Sequence, residues 1–179
     1  MLKIDETLLL IIDVQEKLFR VIPEKETLSG NLQKLIRGCG LLSVPAIITE
    51  QNPAGLGPTI AEVTTLLPDS TKLSKFCFNC CAEVTFMEEL AATGRHQVLV
   101  CGIESHICVY QTTLDLLAHG YEVHLVTDCV ASRAMDNKKL AVKRLQCEGA
   151  KLTGVEMAIF ELLRTAKAEQ FRAVSTLIK

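Results

Sequence analysis

Three residue types that together support covalent carbonyl chemistry occur at telling positions in this chain. The first is Cys108, in Val100-Cys101-Gly102-Ile103-Glu104-Ser105-His106-Ile107-Cys108-Val109, where an apolar run breaks at Gly102 and a polar turn opens a helix-like segment. The free N–H groups of a helix start carry partial positive charge, which favours thiolate over thiol and makes such a cysteine nucleophilic near neutral pH. The second is Asp13, a carboxylate closing the run Leu8-Leu9-Leu10-Ile11-Ile12, and the third is Lys75, in Lys72-Leu73-Ser74-Lys75-Phe76-Cys77-Phe78-Asn79. In one crevice, the thiol attacks an electrophilic carbon, the carboxylate takes and returns a proton, and the ammonium favours both anions. Each type also has a plainer use: cysteine as a small buried hydrophobe, aspartate as a helix N-cap, lysine as a stem lying over apolar surface.

An ordinary carboxylate is too weak a base for an ordinary thiol by about 4 pKa units. The mismatch narrows if burial raises the aspartate while Lys75 and the helix start lower the thiol. The developing oxyanion would need backbone donors, and the turn before the helix offers the N–H groups of Glu104 and Cys108.

Such residues need a scaffold that brings them together. The Leu8–Ile12 run is too short to span a bilayer and reads as a parallel strand buried on both faces. Strands are expected at 7–13, 44–49, 71–74, 97–102, 122–126 and 151–154, with helices at 26–42, 58–66, 82–94, 105–119, 135–147 and 156–167. Their alternation predicts an α/β fold: a doubly wound, Rossmann-like, parallel six-stranded sheet with helices on both faces, forming a single domain over 1–179. Such sheets hold ligands at the carboxyl ends of their strands, where Asp13 and the Cys108 turn both fall. No Gly-x-Gly-x-x-Gly follows any strand, so no dinucleotide cofactor is expected. The tail from Ala166 to Lys179 is amphipathic enough to dock on the domain.

Composition narrows the partners. With 179 residues, 49% of them hydrophobic, the chain can bury a sizeable core without disulfides or metals. A net charge of −2 and no dense basic run argue against nucleic acid, and no apolar run is long enough for a membrane span. The acids in Met1-Leu2-Lys3-Ile4-Asp5-Glu6 are unlike a secretory signal. The eight scattered cysteines read as reduced thiols, so a cytoplasmic location is expected. High apolar content in so small a chain also favours a homo-oligomer.

Three motifs in order carry a resemblance over nearly the whole chain: Asp13-Val14-Gln15, Lys75-Phe76-Cys77-Phe78-Asn79 and Gly102-Ile103-Glu104-Ser105-His106-Ile107-Cys108. The chain resembles the isochorismatase-like cysteine hydrolases, which include nicotinamidases, carbamoylsarcosine amidases and isochorismatases. Glu50-Gln51-Asn52-Pro53 with Leu56-Gly57, and Val126-Thr127-Asp128-Cys129-Val130-Ala131-Ser132-Arg133, are softer matches. The resemblance implies catalysis by Asp13, Lys75 and Cys108, a cis Ile103-Glu104 peptide, and substrate contacts from Phe19, Gln51, Phe78, Ile103 and Ser105. It also implies pockets completed at subunit contacts and a small-molecule substrate. Because vinyl-ether hydrolysis needs only a general acid, Cys108 favours cleavage of a C–N bond in an amide or carbamoyl group.

There are departures. Asn79 stands where the family has serine, and Cys77, Cys80 and Cys81 crowd the same loop. A single C-x-x-C is weak support for zinc, and no histidine follows Glu50 as in metal-dependent nicotinamidases, so no metal is expected. His106, beside the turn, would orient a ligand or serve structure alone, and His96, His119 and His124 receive no role. The altered loop keeps two alternatives open: a binding module with little hydrolase activity, and a redox-responsive thiol protein.

Overall fold

The computed structural model describes residues 1–179. Its strands are β1 (Thr7–Ile12), β2 (Ala46–Gln51), β3 (Thr71–Lys75), β4 (Gln97–Ile103), β5 (Glu122–Ala131) and β6 (Lys151–Thr153). All pairings are parallel, in the order β3-β2-β1-β4-β5-β6. β1 and β4 are buried at every position, which explains their unbroken apolar sequence. Side chains alternate between the two faces, so Leu9 and Ile11 of β1 join one core and Leu8, Leu10 and Ile12 the other.

The helices are α1 (Glu16–Phe19), α2 (Lys25–Leu41), α3 (Pro53–Leu56), α4 (Ala61–Thr64), α5 (Val84–Ala92), α6 (Cys108–Ala118), α7 (Met135–Cys147), α8 (Val155–Leu163) and α9 (Phe171–Ile178). Residues of α2, α4, α8 and α9 fill the core on one face, and those of α5, α6 and α7 fill the other. The chain winds from β1 outward to β3, then returns to place β4 on the other flank of β1. That reversal opens a crevice between the carboxyl ends of β1 and β4. Gly102 makes the closeness of the two strands possible. Its φ is +124°, and a Cβ there would lie 2.0 Å from the carbonyl oxygen of Ile12.

Several element bounds differ from expectation for local reasons. The helix expected at 58–66 shrinks to α4 because Thr59 is held extended, bridged to Gln15 and giving its N–H and hydroxyl to Glu50 Oε1 at 2.8 and 2.7 Å. β5 continues to Ala131 because Val130 and Ala131 pair with Gly102 and Ile103 beyond an irregularity in register. The helix expected to reach 167 ends at Leu163, where Arg164 turns to a φ of +67°. The amphipathic tail forms α9, which buries Val174 while Lys34 Nζ donates to the Ile178 carbonyl at 2.9 Å.

At the opposite, amino end of the sheet, Glu122 accepts from His124 Nε2 at 2.7 Å and from Lys151 Nζ at 2.6 Å. Burial alone would raise the Glu122 pKa, but those two hydrogen bonds outweigh it and bring the group down to about 2. A carboxylate with a depressed folded pKa stabilises the fold above its unfolded value and loses that contribution as pH falls. Stability is therefore expected to decline between about pH 4.5 and about pH 2, with Glu122→Gln removing part of that decline. Urea midpoints at pH 6 and pH 3 check it; an equal acid-induced drop in the variant would count against the assignment.

Candidate active site

Immediately past β1 the chain turns through Asp13, which adopts a left-handed φ of +52° and is fully buried. Its N–H donates to Thr49 O at 3.1 Å, and its carboxylate receives two donors: Thr49 Oγ1 on Oδ1 at 2.9 Å and Lys75 Nζ on Oδ2 at 2.7 Å. Lys75 is the last residue of β3 and is almost as deeply buried. Its ammonium also faces Gln51 Oε1 at 3.0 Å and the carbonyls of Cys77 and Phe78 at 3.1 and 3.2 Å. Three protons thus have four acceptors, so the cation is fully engaged by the protein. Burial works to lower the Lys75 pKa, but the opposing negative charge, led by Asp13, holds it above its ordinary value, so the group is charged.

Cys108 is the first residue of α6, as the sequence suggests, and is only 6% exposed. The expectation of a resting thiolate is corrected by the surroundings. Burial pushes the thiol pKa up, the facing Asp13 carboxylate pushes it further, and Lys75 opposes them without prevailing. The positive charge that would stabilise a sulfur anion is already compensated by Asp13, so the resting group is a neutral S–H facing a carboxylate.

The turn into α6 contains the cis Ile103-Glu104 bond that the resemblance implies. The Glu104 carbonyl accepts from Ile107 and Val109, and the Ser105 N–H reaches Ala131 O at 2.8 Å, while the N–H groups of Glu104 and Cys108 have no acceptor within the turn. The Glu104 carboxylate, also buried, accepts from Arg133 N and Nε through Oε1, both at 3.0 Å.

Cys108, Glu104 and Gln51 border a cavity of about 90 Å³ whose apolar walls come from Leu18, Leu56, Phe78 and Ile107. Asp13 and Lys75 are in direct contact and lie next to Cys108, which alone of the three lines the cavity, together with Gln51 and Phe78. Gln51 does so without a free polar end, since its Nε2 donates to Phe76 O at 2.6 Å and its Oε1 accepts from Lys75. It positions the lysine loop.

Three expected substrate contacts are elsewhere. Phe19 packs on the hydrophobic core because α1, a single unforeseen turn, directs the preceding Leu18 to the cavity instead. Ile103 follows strand alternation into the core, and Ser105 is sealed against β5 through its N–H. Leu18, Leu56, Ile107 and the Glu104 side chain were not foreseen as cavity residues. Of these, only Leu18 lay outside the segments already matched to the family motifs.

Asn79 accounts for its own departure. Its Oδ1 accepts from the Cys81 N–H at 2.9 Å, capping the short 3₁₀ turn Cys80–Ala82, and its amide donates to Asp115. The loop keeps the shape that aims the Cys77 and Phe78 carbonyls at Lys75. His106 turns away from the cavity, its Nδ1 3.0 Å from Ser132 Oγ.

With the site assembled, comparison with known proteins is decisive: the isochorismatase domain matches residues 7–157. The chain belongs to the isochorismatase family. Its relatives include isochorismatase domain-containing protein 2 of Bos taurus, 38% identical over 97% of this chain and 83% of the relative. A secreted isochorismatase effector, Isc1, of Phytophthora sojae is 37% identical over 97% of this chain and 84% of its own. Among solved structures, the MAR1 ribonuclease of Caenorhabditis elegans superposes with a TM-score of 0.94 at 33% identity, covering 99% of this chain and 91% of that one. The YcaC gene product of Escherichia coli, described as an octameric hydrolase of unknown specificity, gives 0.94 at 23% identity over 99% and 88%, a likeness of fold. The isochorismatase-family protein described here has that family's sheet, and none of its helices is long and apolar enough to cross a membrane.

Proposed function

We propose that this isochorismatase-family protein is a cysteine-dependent hydrolase that cleaves a C–N bond in a small amide or carbamoyl compound. The observation that carries the reading is the buried Asp13–Lys75 pair, 2.7 Å apart, facing the Cys108 thiol at the edge of a small apolar cavity. As sulfur attacks the carbonyl carbon, the Cys108 proton passes to Asp13, and the N–H groups of Glu104 and Cys108 receive the developing oxyanion. Collapse breaks the C–N bond, the leaving nitrogen takes the proton from Asp13, and an acyl-thioester remains. Water then gives a proton to Asp13 as it attacks the thioester, and the thiol regains that proton on release of the acid. Lys75 contacts no substrate in this scheme; it fixes the carboxylate and balances its charge.

Asn79, the main ground for a non-catalytic module, reproduces a local cap and leaves the lysine loop intact. A redox role for the cysteine loop is opposed by burial, which holds Cys80 up at about 11 and Cys81 at about 12. A ribonuclease reading, suggested by the name of the C. elegans neighbour, lacks a free cation in the cavity to meet phosphate. Assembly into a homo-oligomer is part of the proposal, supported by Phe76 and Phe78, 77% and 54% exposed around the lysine loop. A reducing, cytoplasmic setting is supported by the buried free thiols Cys39, Cys101 and Cys129.

Turnover of a panel of simple amides, ureido acids and isochorismate by the wild type and Cys108→Ala is the direct test. At least one C–N substrate is expected to be hydrolysed by the wild type, with a loss of at least about 10³-fold in the variant. Turnover that survives in Cys108→Ala would remove the thiol from the mechanism. Light scattering on the same two proteins checks the assembly.

A further inference from the structure

The polar groups lining the cavity and lying just behind it divide sharply into committed and free. Lys75 has four acceptors for three protons, and Gln51 uses both ends of its amide on the lysine loop. What remains for a ligand is the Cys108 thiol, the two N–H groups of the turn, and Glu104. The Glu104 side chain is only 6% exposed, and Oε1 alone holds both Arg133 donors, leaving Oε2 with no hydrogen-bond partner in the protein. Arg133 balances this carboxylate from outside, its side chain 61% exposed. Solvent screens the guanidinium, whereas the carboxylate acts across a cavity walled by apolar side chains.

We infer that the cavity selects an uncharged or cationic substrate and turns away carboxylates, with Glu104 as the residue that determines this specificity. The inference rests on Cys108 being the nucleophile and names the substrate class for that site: a small amide with an apolar substituent, whose N–H, or a neighbouring ammonium, donates to Glu104 Oε2. A substrate carboxylate entering beside Cys108 meets the Glu104 carboxylate with no uncommitted cation inside to compensate it. Isochorismate, a dicarboxylate, is therefore a poor fit for this member of the family.

Iodoacetamide and iodoacetate test this without any known substrate, because they alkylate the same sulfur and differ chiefly in charge. Rates at Cys108 are followed by peptide mapping, with the exposed Cys147 of the same molecule as the reference for the reagents' intrinsic difference. The amide-over-acid preference at Cys108 is expected to exceed that at Cys147 by at least about tenfold. Glu104→Gln should shrink the excess to within about threefold, and Arg133→Gln, which leaves the carboxylate unbalanced, should widen it. Equal preferences at the two cysteines, or an excess unchanged by Glu104→Gln, would overturn the inference while leaving the nucleophile in place. If Glu104→Gln does not fold, Arg133→Gln decides alone, since an excess that fails to widen contradicts the charge argument. Failure of both reagents at Cys108 would overturn the nucleophilic reading, and this inference with it.

Discussion

Asp13→Asn should abolish turnover and destabilise the fold at once. Asparagine has nearly the same shape and can still accept from Thr49, but it cannot take the Cys108 proton. The neutral resting thiol makes that transfer indispensable, so kcat/KM should fall by at least about 10³-fold. The same change strands the Lys75 ammonium, which is 3% exposed and would face only neutral dipoles. Breaking a buried ion pair from one side costs about 3 to 5 kcal/mol. Adding Lys75→Met should recover much of the stability and none of the activity, because methionine fills similar volume without a charge. Urea denaturation and steady-state kinetics on the three proteins separate the two effects. An Asp13→Asn enzyme within tenfold of wild type would mean that another group takes the proton.

The second large effect is expected at a residue with no chemistry of its own. Gly102→Ala forces a side chain onto a φ of +124° and drives Cβ to 2.0 Å from the Ile12 carbonyl oxygen, a main-chain atom of a strand packed on both faces. Strained φ and overpacking together should cost about 3 to 5 kcal/mol, a large share of the roughly 5 to 15 kcal/mol that holds a domain folded. Gly94→Ala is the control: it too has a positive φ, +63°, but a Cβ there meets nothing within 4 Å. That change should cost only about 1 kcal/mol. Comparable urea midpoints for the two variants would show that β4 can shift away from β1 without penalty.

The parts of this molecule that were legible in its sequence are those fixed by long apolar runs and by spacing. Leu8–Ile12 could only be a buried strand, and its end therefore put Asp13 at the crevice; the glycine-opened turn located Cys108 at a helix start. Short elements pinned by distant hydrogen bonds were not legible. α1 is one turn long and rotates Leu18, instead of Phe19, toward the cavity, and Thr59 is kept out of a helix by Glu50. Charge state was misread for a related reason. Helix position argues for a thiolate, but burial and the facing carboxylate are tertiary facts, and they prevail at Cys108. Gln51 lines the cavity with both ends of its amide bound within the protein, which was not legible because spacing says where an amide lies and nothing of which partners have already claimed it.

The strand order has a further consequence for how the chemistry comes into being. Asp13 and Lys75 belong to the β3-β2-β1 half of the sheet, and Cys108 follows β4 in the other half. A chain emerging from the ribosome therefore first presents the carboxylate and the ammonium without Cys108. Cys108, the proposed nucleophile, comes beside Asp13, its proposed base, only when residues 97–102 zip onto residues 7–12. On the proposed mechanism, catalytic competence and the joining of the two halves are one event, and a nascent or nicked chain parted at the exposed Gly94 is expected to be inactive until that seam closes.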